Sequence, residues 1–285
     1  MDKRIILITG ANAGIGKETA RQLAGDEARI YLGCRRPLAG EKAAMEIRAA
    51  VPQADLEVIE LDLASQQSVR EAVRRMTYEV PQLDILINNA GLFTSSWQTT
   101  EEGFELQFGV NHLGHFLLTH ELLPLLQKSG HPKVINVSSA AYLQGKMDFD
   151  TLQDKPPSYS GLNAYARSKL ANVLFTRELA RRYPDIHSYA LHPGAVGTAF
   201  AEKDSRWIVR TIWKIAKRFF LVSPEKGAET SVYLARTYPV PAENGSFIDN
   251  KQEVRSPTEQ AAVEQLAKKL WDYSLFACNL EPKPE

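Results

Sequence analysis

Ile5-Ile-Leu-Ile-Thr-Gly-Ala-Asn-Ala-Gly-Ile-Gly16 decides the fold: an apolar run stops in three glycines, and Lys17 to Leu23 continues at helical spacing. This pattern predicts a strand, a tight turn and a helix start. Gly10, Gly14 and Gly16 permit backbone conformations with φ > 0, and they remove the Cβ atoms that would keep a pyrophosphate from the N–H groups at the helix start. A nucleotide is the ligand such a turn would take. The spacing Gly-x-x-x-Gly-x-Gly differs from the standard dinucleotide fingerprint, so the turn alone leaves an ordinary strand-to-helix connection open.

Working outward, similar runs recur at 30–33, 56–61, 85–88, 134–137 and 188–192, with a weaker one at 246–248. Each has strand length, most are rich in Val, Ile and Leu with little alternation, and helical patterns separate them. The chain is therefore expected to form a single-domain, doubly wound α/β Rossmann fold, with a mostly parallel, seven-stranded sheet and helices on both faces. Such a sheet binds its ligand outside the carboxyl ends of its strands. Helix starts are marked by Thr99 with Glu102 as a capping box, by Ser223-Pro224, and by Ser256-Pro257-Thr258-Glu259. A lid is expected at about 199–222, and a C-terminal helix and tail at about 256–285.

In the 285 residues, 34 basic side chains balance 34 acidic ones, which argues against nucleic acid and for a small-molecule partner. Cys34 and Cys278 lie far apart in sequence and suit a reducing compartment better than a disulfide framework. No cleavable leader is read at Met1-Asp2-Lys3-Arg4, and no apolar run approaches the roughly 18 residues of a membrane span. The expected location is the cytoplasm. Within 205–221, Arg206, Arg210, Lys214, Lys217 and Arg218 lie near one helical face, and Trp207, Ile208, Ile212, Ile215 and Phe219 largely away from it. That helix reads as a lid or as a peripheral membrane contact, and either goes with a lipophilic substrate. There is room for a homo-oligomer.

Arg35 and Arg36 follow the second strand, and position 36 stands 20 residues past Gly16, where an NAD-preferring fold places an acid. Two guanidinium groups favour the 2′-phosphate of NADP, although a pair of solvated loop arginines is the plainer reading. Asp62 closes the third strand and Asn88-Asn89-Ala90-Gly91 the fourth; the amides could line a nucleotide wall or make an Asx turn. Tyr165 and Lys169, four apart on a helix, share a face, so the ammonium can lower the phenol pKa and make Tyr165 a general acid and base. Ser139 ends the fifth strand and can donate to a carbonyl oxygen. His112 and His115, at i and i+3, could share a ligand, but His120 falls off that face and no acidic or thiol set completes a site, so no metal centre is expected.

Together these stretches resemble a short-chain dehydrogenase/reductase and, within that family, the retinol dehydrogenase group. The resemblance runs from residue 4 to about residue 250 and includes Cys34-Arg35 and Ser168-Lys-Leu-Ala-Asn-Val-Leu-Phe175. It implies four catalytic residues: Asn111, in Asn-His-Leu-Gly, with Ser139, Tyr165 and Lys169. It implies cofactor contacts at Gly10, Asn12, Gly14, Ile15, Gly16, Arg35, Arg36, Asp62, Leu63, Asn89, Ala90 and Gly91, at Tyr165 and Lys169, and at Pro193, Gly194, Val196 and Thr198. The implied reaction is hydride transfer between NADP(H) and a lipophilic alcohol or carbonyl, retinol or retinal-like; a non-catalytic NADP(H)-sensing regulator is the alternative. Ala13 stands where many NADP-preferring members carry a base, which leaves Arg35 and Arg36 to set specificity. The segment from Tyr142 to Ser160 resembles an insertion of the retinol-type group and is expected to border the substrate.

Overall fold

The computed structural model describes residues 3–153, 155–194 and 223–280. Val196, Thr198, the expected lid at 199–222 and the tail at 281–285 lie outside these residues. The apolar runs form β1 (Arg4–Thr9), β2 (Ala28–Cys34), β3 (Asp55–Glu60), β4 (Ile85–Asn88), β5 (Lys133–Val137), β6 (His187–Leu191) and β7 (Phe247–Ile248). These seven pair in parallel, and an eighth strand, β8 (Val254–Arg255), is antiparallel to β7. The order across the sheet is β3-β2-β1-β4-β5-β6-β7-β8. One strand more than expected is present because Val254 and Arg255 are both exposed and carry no apolar signal. Asp249 holds that edge, accepting from Lys251 N, Glu253 N and the Arg255 guanidinium.

The strands show little alternation because helices cover both sheet faces. Leu7, Tyr31, Leu86 and Val134 face one core, while Ile6, Ile8, Ile30, Leu32, Ile87 and Ile135 face the other. Residues of α1 (Gly14–Leu23), α2 (Pro37–Ala50) and α7 (Pro224–Arg236) complete the second core. The first takes residues of α3 (Gln66–Glu79), α5 (Gly114–Leu126), α6 (Gly161–Arg182) and α9 (Glu264–Ala277). A short α4 (Leu106–Phe108) runs into α5 through a π-helical turn, Gly109–Leu113, and α8 (Glu259–Ala262) precedes α9.

Ser223 caps α7 with Pro224 in its first turn, and Thr258 caps α8. The expected helix start at Thr99 and Glu102 does not form. Thr99 pairs with Glu105 in an isolated bridge, and the Glu102 carboxylate accepts from Gln66 N, at the start of α3, at 2.6 Å. Glu105 serves the helix instead, accepting from the N–H groups of Gln107 and Phe108. Among the described residues no helix is long and apolar enough to cross a membrane.

Candidate active site

α6 packs against β5 and β6, the segment after β4 reaches it where Gly91 meets Lys169, and the end of β1 is bonded to that segment through Thr9. Gly10 and Gly14 have φ of +67° and +55°, the left-handed region that glycine adopts without penalty. A Cβ on Gly16 would lie 2.5 Å from Gly10 O and would also strike the Asn89 amide. Ala13 gives α1 no side-chain cap, and the first turn holds no acid, so the helix start keeps its N–H groups and positive end for an anion. This cradle fits a dinucleotide pyrophosphate, with half-buried Asn12 and Ile15 beside it.

Asn89 is bound to that turn: its Nδ2 donates to Thr9 O at 2.8 Å, and Thr9 Oγ1 accepts from Asn89 N and Ala90 N. Asn88 points the other way, into a buried ladder with Thr119 and Asn136. Asp62 makes an Asx turn, with Oδ1 accepting from Ala64 N at 2.9 Å. The Leu63 carbonyl packs where any side chain on Gly114 would sit. Arg35 and Arg36 are exposed after β2 and make no ion pair among the described residues. Cys34 is buried beside them, and burial pushes its thiol up to about 12. Past β6, Gly194 has φ +83°, and its N–H donates to His192 Nδ1 at 3.2 Å, with Pro193 between them.

Tyr165 stands on α6 with the Phe93 ring edge-on at 5.7 Å. One turn later Lys169 is buried; its Nζ donates to Val137 O at 3.1 Å and lies 5.7 Å from the Tyr165 ring centroid. A Cβ on Gly91 would come within 3.3 Å of both Lys169 Nζ and Asn111 Oδ1, so glycine there lets an ammonium and an amide flank one backbone position. Asn111 lies in the π-turn; its Oδ1 accepts from Leu92 N at 2.8 Å, and its Nδ2 donates to Leu92 O and Ser168 Oγ. Ser168 Oγ in turn donates to Tyr165 O. Of the two serines ending β5, Ser138 donates to Lys169 O, while Ser139 hydrogen-bonds Tyr165.

Burial raises the Tyr165 phenol, and the Ser139 hydrogen bond draws it part of the way back. The Lys169 ammonium, expected to lower the phenol, lies 5.7 Å from the Tyr165 ring centroid and donates to Val137 O. Burial also brings Lys169 down to about 8.

Thr9, Ser168 and His115 also belong to this cluster, and the sequence alone gives none of them a site role. The spacing of His115 four after Asn111, and of Ser168 three after Tyr165, is the only signal they carry. The three histidines point three ways: His112 to Ser274, His115 to Thr9, and His120 to the Phe116 and Trp271 rings. The 142–160 segment, expected to border the substrate, is anchored at several points. Tyr142 and Leu152 are buried, Met147 N donates to Gln260 Oε1, and the Tyr159 hydroxyl donates to Glu105. Leu143 remains 59% exposed next to the site.

A doubly wound sheet with a glycine turn after β1, and a tyrosine and lysine one turn apart at the strand ends, has the architecture of a nucleotide-dependent oxidoreductase. The profile of the short chain dehydrogenase family matches residues 4–208. Human retinol dehydrogenase 14 is 43% identical over 291 residues, covering 96% of this chain and 86% of its own. Mouse retinol dehydrogenase 12 is 41% identical, covering 95% and 85%. The crystal structure of an uncharacterized Mycobacterium paratuberculosis protein superposes with a TM-score of 0.77 at 33% identity, over 98% of this chain and 94% of that one. The fold is also that of an alcohol dehydrogenase from Thermococcus sibiricus, solved with 5-hydroxy-NADP, at TM-score 0.68 and 23% identity over 90% and 99% of the two chains. The chain belongs to the short-chain dehydrogenase/reductase family and to its retinol dehydrogenase-like group, and is an oxidoreductase acting on CH–OH groups.

Proposed function

We propose that the protein transfers a hydride between NADP(H) and a lipophilic alcohol or carbonyl, with Tyr165, Lys169, Ser139 and Asn111 as its working residues. The observation that carries this reading is the clustering of these side chains: Lys169 Nζ and Asn111 Oδ1 both lie 3.3 Å from the Cβ position of Gly91, the Lys169 ammonium lies 5.7 Å from the Tyr165 ring centroid, and Ser139 acts on the Tyr165 phenol. The cofactor supplies or accepts the hydride. A phenol raised by burial is neutral at physiological pH, so Tyr165 is poised to give a proton to a carbonyl oxygen in reduction and to take it back in oxidation. Ser139 would hold that oxygen by hydrogen bond. Lys169, charged below about pH 8, would hold the nicotinamide ribose and restore the proton to Tyr165. Asn111 would position a water that connects Lys169 to solvent. The exposed Arg35 and Arg36 are the groups that would favour a 2′-phosphate, and the archaeal alcohol dehydrogenase of this fold carries an NADP analogue.

Phe93 against Tyr165, Leu162 one turn before it and 70% exposed, and Leu143 support an apolar substrate, as the names of the retinol dehydrogenase relatives do. Turnover with NADPH across a carbonyl panel, from short polar aldehydes to long-chain and isoprenoid ones, tests the proposal. Preference for the lipophilic members is the expected result. Preference for short polar ones refutes the substrate class, and tight NADPH binding without turnover of any member selects the sensing regulator.

A further inference from the structure

One buried titratable side chain at the centre of this site has no part in the chemistry above. His115, in the first turn of α5, is 2% exposed and joins two elements. Its Nε2 lies 2.9 Å from Thr9 Oγ1 at the end of β1, and its Nδ1 lies 3.1 Å from the main-chain oxygen of Asn111.

The partners fix the tautomer. Thr9 Oγ1 already accepts two N–H groups, from Asn89 and Ala90, so its own proton goes to His115 Nε2. Nδ1 then carries the ring proton and donates to the Asn111 carbonyl. Every hydrogen-bonding position of both side chains is filled by this one arrangement. The neighbouring His112 differs. Ser274 gives its proton to Leu270 O and accepts from His112 Nε2, which leaves His112 Nδ1 without a partner among the described residues. His112 is thus tied on one side only, to the C-terminal helix, whereas His115 bridges the glycine turn and Asn111.

We infer that His115 is a positioning residue for the reaction proposed above: it sets Asn111 against the cofactor turn and thereby fixes Leu92 and the Lys169 ammonium beside Gly91. The inference rests on the reading that Tyr165 and Lys169 do the chemistry. Lys169 on α6 and His112 in the π-turn are the charged and titratable groups around this imidazole; the Lys169 charge opposes a proton on it, and a proton on His115 would in turn oppose one on His112. A protonated ring would also set a second donor against the hydroxyl proton of Thr9. His115 therefore works as a fixed neutral strut.

The test uses the full chain with NADPH and one carbonyl that the wild type turns over. His115→Ala is expected to lower kcat by about tenfold or more while KM changes little, because a misplaced catalytic group costs rate more than binding. Its kcat–pH profile should shift on the alkaline limb by about half a unit or more, as Lys169 leaves its place. His115→Gln, whose amide can both donate and accept, should recover most of the rate. Thr9→Val removes the hydroxyl proton at nearly constant volume and should resemble His115→Ala; the double variant should be no worse than the poorer single one. Wild-type kcat and pH profile in folded His115→Ala overturn the inference, and so does a loss that glutamine does not restore. If His115→Ala fails to fold, Thr9→Val decides, and an unchanged rate and alkaline limb in it overturn the inference. Tyr165→Phe in the same preparation separates the two readings, since near-native activity there defeats the tyrosine assignment and not the strut.

Discussion

Acidification from pH 7 to pH 5 is expected to cost this fold about 4 kcal/mol through two imidazoles alone. Burial holds His112 and His115 down to about 3; the Asn111 carbonyl pulls His115 slightly upward, and the nearby Lys169 charge pushes it down again. In the unfolded chain both return to about 6.5. A depressed folded value means that the unfolded state takes up the proton first. Stability from these groups is therefore complete above about pH 6.5 and is lost as the pH falls from there towards 3. Inside that window each histidine costs about 1.4 kcal/mol per pH unit, or about 2 kcal/mol by pH 5, and there are two. Against a typical net stability of about 5–15 kcal/mol this is a large share.

Urea unfolding at pH 5, 6 and 7 measures it, on the wild type and on His112→Gln/His115→Gln, whose amides keep a donor at each position and do not titrate. Hydrogen-bonded carboxylates such as Asp249, and the partly buried His187 and His192, are common to both proteins and cancel in the difference. The wild type should lose about 4 kcal/mol more than the variant over this range. Parallel pH dependence in the two proteins, or an NMR titration that places either imidazole above pH 5, would refute the reasoning.

Tyr165→Phe should lower kcat by about a hundred- to ten-thousandfold with NADPH affinity retained, as read by turnover and by cofactor fluorescence titration. Replacing Arg35 and Arg36 with serine should weaken NADPH binding by about tenfold or more and leave NADH nearly unchanged, since a lost guanidinium–phosphate contact is worth about 1.5–3 kcal/mol; equal losses for both cofactors would sink the 2′-phosphate assignment. Trp271→Ala should cost about 3–5 kcal/mol in urea unfolding. That indole is buried against Phe175 and Phe116, with the Arg182 guanidinium 4.9 Å from its ring, and a loss below about 1 kcal/mol would show that α9 is not held there.

Most of the six long strands were legible because they are buried on both faces, which writes an apolar run into the sequence; β8 is two exposed residues and writes nothing. Thr99 and Glu102 have the spacing of a capping box, but the Glu102 carboxylate goes to Gln66 N, 36 positions back, and local spacing cannot report that competitor. Tyr165, Lys169, Ser139 and Asn111 could be read because helical spacing and motif place them. The structure brings Lys169 and Asn111 together at Gly91, with the Lys169 ammonium 5.7 Å from the Tyr165 ring centroid. Thr9 and His115, 106 positions apart, matter only through a hydrogen bond between them. The 142–160 segment has an apolar and polar mixture that suits a pocket rim; its partners Glu105 and Gln260 decide its burial, and both lie outside it.

The π-turn explains how so many of these distant pairs meet. A turn of i→i+5 bonds is wider than an α-turn and redirects successive side chains. Asn111 goes to Leu92 and Ser168, His112 to Ser274 on α9, and His115, two residues past the turn's last residue, back to Thr9. Both ends of the turn are closed by glycine for steric reasons: a Cβ on Gly109 would collide with Thr100 Cγ2, and one on Gly114 would lie 2.5 Å from Leu63 O. Alanine at Gly114 would have to push the turn away from the Leu63 backbone, and alanine at Gly109 would have to displace the Thr100 side chain. The glycines therefore serve the site without touching it, because they allow one short stretch of backbone to hold the cofactor turn, α6 and the C-terminal helix together.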